Sequence, residues 1–348
     1  MNIYTKNTAR YTIWSSIKGF NLTNNLCEQH LEYEMAVFLS SFLCGERMKG
    51  KMPYFMIAFA AAMWGLIGFF VKGLNNAGFS AMEIVAIRVM TAAIVLIMVG
   101  ISFYRNRLKI RLKDLYLFVG TGILSIVFFN WSYFTAINLM NIPIAVALLY
   151  TSPAFVAVLS FLFLKESMNR KKLLAIVMTV IGCTLAAGIT GQGGTSFSVS
   201  SILIGLGAGF GYALYSIFGK VALRRYHPFT VTLYTFLVAS AALVPTTGIV
   251  SKADVLFTGD AWLYAVGLGI IPTVVAYFAY SWGLERTESS TAAVVATLEP
   301  VIATMLGILV YGDRLGGLQL IGSTLIIISV IAINISIPIR KPKKQFTV

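Results

Sequence analysis

Two ionisable residues sit inside long apolar runs, and a set of aromatic and amide side chains is spaced to join them. Glu299 lies within the run from Thr291 to Tyr311, which is long enough to cross a bilayer as a helix. A carboxylate near the middle of such a run costs about 2.5–3.5 kcal/mol on insertion scales. Glu299 is therefore expected to face protein or water. Pro300 follows it directly. Proline has no N–H, so the helix is expected to kink or loosen there. A weakened helix beside an ionisable group at mid-depth is a common way to build a solute site in a membrane. The plainer alternative is a proline kink with a structural glutamate bonded to a neighbouring helix.

Arg88 is the second such charge, about a third of the way into the run 82–103. A guanidinium there needs a carboxylate, carbonyls or water. It suits a bidentate grip on a substrate carboxylate, or a structural pairing with Glu83 or Glu299. Asn130 and Tyr133 are three residues apart and share a helical face, as do Tyr277 and Tyr280. Polar-tipped aromatics can line a cavity, but they also gather in interfacial belts. Trp64, Gly68 and Lys72 recur every fourth residue, and so do Tyr212, Ser216 and Lys220. The two lysines are expected to snorkel from span ends. Gly205/Gly209 and Gly207/Gly211 have the GxxxG spacing of closely packed membrane helices, which also permits a homodimer.

The elements that must position these residues are membrane spans. The chain has 348 residues, of which 58% are hydrophobic and only 11% charged. Soluble proteins carry about 25% charge. The mean hydropathy is +0.82, and the apolar residues come in blocks. Ten spans are expected, near 54–72, 82–103, 115–137, 142–164, 173–190, 201–221, 229–250, 261–283, 291–311 and 318–338. The fold class is an all-α polytopic membrane protein. The net charge of +14 lies mostly in short loops, as a topology signal does, so no nucleic-acid partner is expected. The basic loops fall on one side of a ten-span arrangement, which puts both termini in the cytoplasm. Membrane lipid and a small-molecule substrate are the expected partners.

Cys27, Cys44 and Cys183 make no metal spacing, and His30 and His227 are the only histidines. No metal, cofactor or catalytic residue is expected. An intramembrane enzyme would need clustered His, Asp or Ser, against the lone intramembrane acid here. The glycines do not follow a phosphate-cradling pattern. Residues 1–52 do not match the rest and read as an extension. They carry neither a span nor the ordered features of a secretory signal. Gly45-Glu46-Arg47 before Met48 can be encoded by a purine-rich run like a ribosome-binding site, so this stretch is expected to be a start-site artefact.

The two halves of the chain repeat each other. A shift of 147 places Gly120 and Gly122 on Gly267 and Gly269, Tyr133 on Tyr280, Ala145 on Ala292, Pro153 on Pro300 and Glu166 on Asp313. A shift of 148 places Lys72 on Lys220 and Trp64 on Tyr212. The repeats are expected at 53–190 and 201–338, with a linker at 191–200 and a basic tail at 339–348. Five spans per half is an odd number, so the second half enters the membrane from the other side. Inverted repeats of this kind recur in transporters, with the solute site at the repeat interface. Pro153 and Pro300 mark the expected broken helices.

Arg88 in the second span, Tyr150-Thr151-Ser152-Pro153 followed by Lys165-Glu166, and Glu299-Pro300 followed by Gly312-Asp313 resemble the EamA-type drug/metabolite transporter superfamily. The resemblance runs from about Pro53 to Ile337. It implies two inverted five-helix repeats, cytoplasmic termini, a central cavity lined by the first four helices of each half, and peripheral fifth and tenth helices. It also implies secondary transport, often export, of amino acids, other metabolites or amphipathic compounds. Glu299 would then serve as coupling or recognition group. A flippase for lipid-linked headgroups would use the same architecture.

Overall fold

The computed structural model describes residues 51–187, 198–311 and 316–334, and the described part is helical throughout. The expectations for the N-terminal extension, His30, Cys27, Cys44, Asp313, the basic tail and most of the linker fall outside those residues. Among the described residues, eight helices are long and apolar enough to cross a membrane. They are α1 (Met52–Asn76), α2 (Ala81–Phe103), α3 (Leu112–Leu139), α4 (Ile142–Leu164), α6 (Val199–Leu223), α7 (Pro228–Thr247), α8 (Ala261–Arg286) and α9 (Ser289–Val310). Two of the expected ten spans fall short of that measure. Helix α5 (Arg170–Ala186) has 17 residues and opens on Arg170-Lys171-Lys172. Helix α10 (Gly317–Ile333) is apolar but shorter than the others. Large apolar side chains such as Phe103, Phe161, Phe163, Leu203 and Leu309 point outward. With charge scarce along these helices, that surface suits lipid, and the chain is a multi-pass membrane protein.

Local sequence sets the helix ends. Ser80 and Glu83 form a reciprocal capping box at α2. Asn169 caps α5, Ser198 caps α6, and the His227 ring caps α7 ahead of Pro228. Lys165 ends α4 in the left-handed region at φ 58°. Helices α4 and α9 are both interrupted. The first breaks at Tyr150-Thr151 and resumes at Ser152; the second breaks at Thr297 and resumes at Leu298. The breaks thus fall one turn or less before Pro153 and Pro300, where a proline leaves carbonyls without a donor. Thr151 and Thr297 fold their hydroxyls back onto the carbonyls of Leu148 and Val294, each at 2.6 Å. Short π-helical stretches sit at Gly120–Val127 and Ile270–Val275, also related by the repeat.

Packing follows the repeat. Helix α1 packs on α8 and α9, while α6 packs on α3 and α4. Exchanging the halves converts one set into the other. The pairs α2–α7 and α5–α10 map onto themselves. Glycines show the relation at atomic scale. Gly120 lies against Phe218, and Gly267 against Phe70. Gly122 lies against Thr235 and Val238, and Gly269 against Thr91. Helices α5 and α10 cross at Gly182 and Gly322, and Thr179 and Ser329 share a 2.7 Å hydrogen bond. Gly205 and Gly209 pack on Leu148, and Gly211 on Phe128 and Phe129. Their spacing serves contacts inside the chain and so does not argue for a second copy.

Candidate functional site

A cavity of about 610 Å³ lies between α1, α2, α3, α4 and the second part of α9. Its wall is mainly apolar and aromatic, with Trp64, Arg88, Asn130, Tyr133, Tyr150 and Glu299 as the main polar-bearing side chains. Pro300 and Thr304 complete the α9 wall. Glu299 stands two residues past the break at Thr297, in the first turn of the second α9 segment, and lines this space.

Arg88 is only 6% exposed, and its Nε and Nη2 have no hydrogen-bond partner. Among the described residues no carboxylate forms an ion pair with it. The pairing with Glu83 does not occur. Glu83 is taken by the Ser80 backbone at 2.7 Å and by Lys252 at 2.8 Å. The Trp64 indole N–H is likewise buried and unbonded. Buried donors without partners cost free energy unless something else satisfies them. Glu299 receives one long hydrogen bond, 3.5 Å from the Tyr212 hydroxyl. Tyr150 and Arg88 are the other polar groups acting on that carboxylate. Asn130 spends its amide on the Ile126 carbonyl at 2.7 Å, so it lines the wall but holds its own helix.

Tyr212, Tyr277 and Tyr280 are placed elsewhere. They surround a small closed space of about 10 Å³ on the far side of Trp64, with Tyr215, Ser216 and Ser125. Trp64 is shared by both spaces. Its ring meets Tyr277 and Tyr280 at 5.1 Å and Tyr212 at 6.3 Å between centroids. Pro153 is buried in the second segment of α4 and lines neither space.

Beyond that space, the end of the molecule bearing most of the basic loops is tied shut. Tyr215 bonds Ser281 at 2.9 Å and Ser216 bonds Tyr280 at 2.8 Å, joining α6 to α8. Lys220 does not snorkel outward. Its ammonium donates to the carbonyls of Leu284, Glu285 and Thr287, satisfying the end of α8. Glu166 accepts from the backbone N–H of Ser289 at 2.6 Å and of Ser290 at 3.1 Å, capping α9 from the loop that follows α4. Burial raises the Glu166 pKa, but these donors outweigh it and hold the carboxyl below its ordinary value. Lys172 pairs with Glu288 at the same corner. Asp114 takes Arg225 and the Tyr226 hydroxyl, and Thr230 and Tyr234 bond the Arg107 and Leu108 carbonyls. For a carboxylate in a short loop, as Glu166 is, a solvated charge is the ordinary reading from sequence. Its position two residues past the apolar run was the available signal. No cluster of His, Cys, Asp and Glu able to hold a metal occurs among the described residues.

A helical membrane protein made of two packed repeats, with a charged mid-depth cavity at their interface, has the architecture of a solute carrier. The chain belongs to the EamA-like transporter family, whose model matches residues 51–188 and 199–335. A protein of Archaeoglobus fulgidus named as an uncharacterized transporter is 32% identical over 200 residues, 58% of this chain and 70% of its own. The threonine/homoserine exporter RhtA of Salmonella typhimurium is 26% identical over 219 residues, 63% of this chain and 71% of its own. One crystal structure matches with a TM-score of 0.69 at 20% identity, over 81% of this chain and 96% of the other, a likeness of fold.

Proposed function

We propose that the protein is a secondary transporter that moves a small zwitterionic solute, of the amino-acid class, across the cell membrane by alternating access. In this reading it has ten transmembrane helices in two inverted repeats, both termini are cytoplasmic, and the physiological direction is export. The observation that carries it is the unsatisfied chemistry of the cavity. Arg88 offers two unbonded donors and Glu299 an under-coordinated carboxylate, in one otherwise apolar space. A solute with a carboxylate and an ammonium group completes both. Guanidinium and carboxylate suit each other bidentately, and the low local dielectric strengthens the pairing. The exchange-related packing of the halves supports inversion of the repeats. The RhtA likeness supports the amino-acid class and the outward direction. With basic loops inside, the cavity faces outward and the tied end faces the cytoplasm. Glu299 is the natural group to couple transport to a proton, since one group would then serve solute and proton in turn.

Counterflow in proteoliposomes tests this. Pools of amino acids, small metabolites and cationic dyes are offered to wild type and to Glu299→Gln. Amino-acid exchange in wild type, absent from the variant, is expected. Exchange of dyes alone would replace the solute class, and unchanged exchange by Glu299→Gln would remove Glu299 from the site. Movement of lipid-linked headgroups without soluble exchange would make the protein a flippase.

A further inference from the structure

The small closed space beside Trp64 has a counterpart. Five of its wall residues are Tyr212, Tyr215, Ser216, Tyr277 and Tyr280. Moved back by 147 or 148 positions they fall on Trp64, Ile67, Gly68, Asn130 and Tyr133. All five of those line the open cavity. The second-half wall of the closed space is therefore the repeat-mate of the α1 and α3 wall of the open cavity, here enclosing about the room of one water molecule. Trp64 and Phe129, which border both spaces, and Tyr212, which reaches Glu299, form the partition between them. No Asp, Glu, Lys or Arg lines the closed side.

From this geometry we infer that the closed space is the second chamber of the solute site: a neutral wall of tyrosine and serine hydroxyls that receives the polar, uncharged part of the solute when the basic end opens, with Trp64, Phe129 and Tyr212 as the movable partition. The inference rests on the transporter reading. Opening the chamber parts Tyr215 from Ser281 and Ser216 from Tyr280, and these hydroxyls are then left for the solute. Buried hydroxyls need a partner in either state, and exchanging an internal partner for the solute leaves none unpaired. Glu166 holds the wall closed from outside, because capping Ser289 and Ser290 fixes the start of α9 against the end of α4.

Cysteine accessibility tests the chamber without needing the solute. In full-length protein carrying Cys27→Ser, Cys44→Ser and Cys183→Ser, single Ser216→Cys and Thr304→Cys are exposed to an impermeant cationic thiosulfonate in right-side-out and inside-out vesicles. Thr304→Cys, in the open cavity, should label from outside. Ser216→Cys should label from the cytoplasmic side alone, and more slowly. Adding Glu166→Gln should speed Ser216→Cys labelling at least about tenfold, the worth of one charge-assisted hydrogen bond. Tyr215→Phe, which breaks the remaining hydroxyl pair with Ser281 with little change in size, should act in the same direction and covers the case in which Glu166→Gln fails to fold. Unlabelled Ser216→Cys in all backgrounds, beside normal Thr304→Cys labelling, would make the space ordinary core. Labelling of both from outside would make it part of one cavity. Opposite-sided labelling with no exchange in any counterflow pool would uphold the chamber and overturn only the amino-acid reading.

Discussion

The two ends of the molecule are built from the same repeat, yet one is open and the other tied shut. At the open end α1 offers Ile67 and Gly68 to the cavity and α3 offers Tyr133 and Phe134. At the tied end the corresponding residues are Tyr215 and Ser216 on α6 and Tyr280 and Ser281 on α8. Here two hydroxyl pairs bridge the helices. Ile67 and Gly68 have no side-chain donor or acceptor, so no such bridge can form at the open end. A net hydrogen bond is worth about 0.5–1.5 kcal/mol, and more when one partner is charged. Two hydroxyl pairs, the Glu166 cap and the Lys220 contacts are therefore enough to bias a two-state equilibrium toward one end. The backbone repeat allows either end to open, and the side chains that differ between the halves choose which one rests closed.

The charges divide the same way, which gives the largest expected effect. Arg88 corresponds to Thr235, and Glu299 to Ser152. Thr235 bonds Thr121 at 2.6 Å and the Val231 carbonyl at 2.8 Å, so it serves helix packing. Arg88→Gln should cut exchange of a carboxylated solute by about a hundredfold, as expected when a charged hydrogen-bond partner is lost. Thr235→Val should change it less than about threefold, because only packing hydrogen bonds are lost. Initial rates in proteoliposomes measure both. Equal losses would mean that the halves share the binding work and that the charge asymmetry is incidental.

How much of this the sequence disclosed depends on the kind of information. Long apolar runs are local, and the expected spans 142–164 and 82–103 lie within a residue of Ile142–Leu164 and Ala81–Phe103. The fifth expected span began at 173, but the helix starts at Arg170, since three basic residues can wind into its first turn under the Asn169 cap. The repeat was legible as a shift because glycines and prolines hold their places where helices touch or break. Side-chain partners were not legible. Periodicity puts Tyr277 and Tyr280 on one face, but both halves own such a face. Only the three-dimensional state says which is open. In the same way the run of residues places Lys220 at a span end without telling that two carbonyls of α8 and that of Thr287 wait beside it.

The paired glycines sharpen the comparison at the level of stability. Gly122 and Gly269 are repeat-mates with different neighbours. A Cβ on Gly122 would come within 2.8 Å of the Thr235 carbonyl oxygen, a backbone atom of α7 that cannot turn aside. A Cβ on Gly269 would meet the Thr91 methyl and come within 2.6 Å of the Thr91 Cβ, which no side-chain rotation moves. Gly122→Ala should therefore destabilise by about 1–3 kcal/mol through overpacking, and Gly269→Ala by at least as much. Thermal unfolding in detergent ranks them. The reverse order would mean that α2 and α8 slide more freely than α3 and α7.

The smallest expected effect is a pH dependence of the tied end. Glu166 has its pKa held below the ordinary 4.5 while it caps α9. Once the end opens, the cap is lost and the carboxyl returns toward that ordinary value. The closed form therefore binds fewer protons than the open one, and its advantage is fully present above the ordinary value. It is lost as pH falls through the lowered value of the capped state. The rate of Ser216→Cys labelling from the cytoplasmic side, divided by that of Thr304→Cys at the same pH so that the falling thiolate fraction cancels, should then vary by less than about threefold between pH 8 and pH 5, because protonated Glu166 is scarce in both forms there. Below 4.5 that ratio should rise. In a Glu166→Gln background that rise should vanish, since the group that titrates is gone. A rise that persists in Glu166→Gln would assign the closing force to another acid at the same corner, and Glu288, the partner of Lys172, is the next one to substitute.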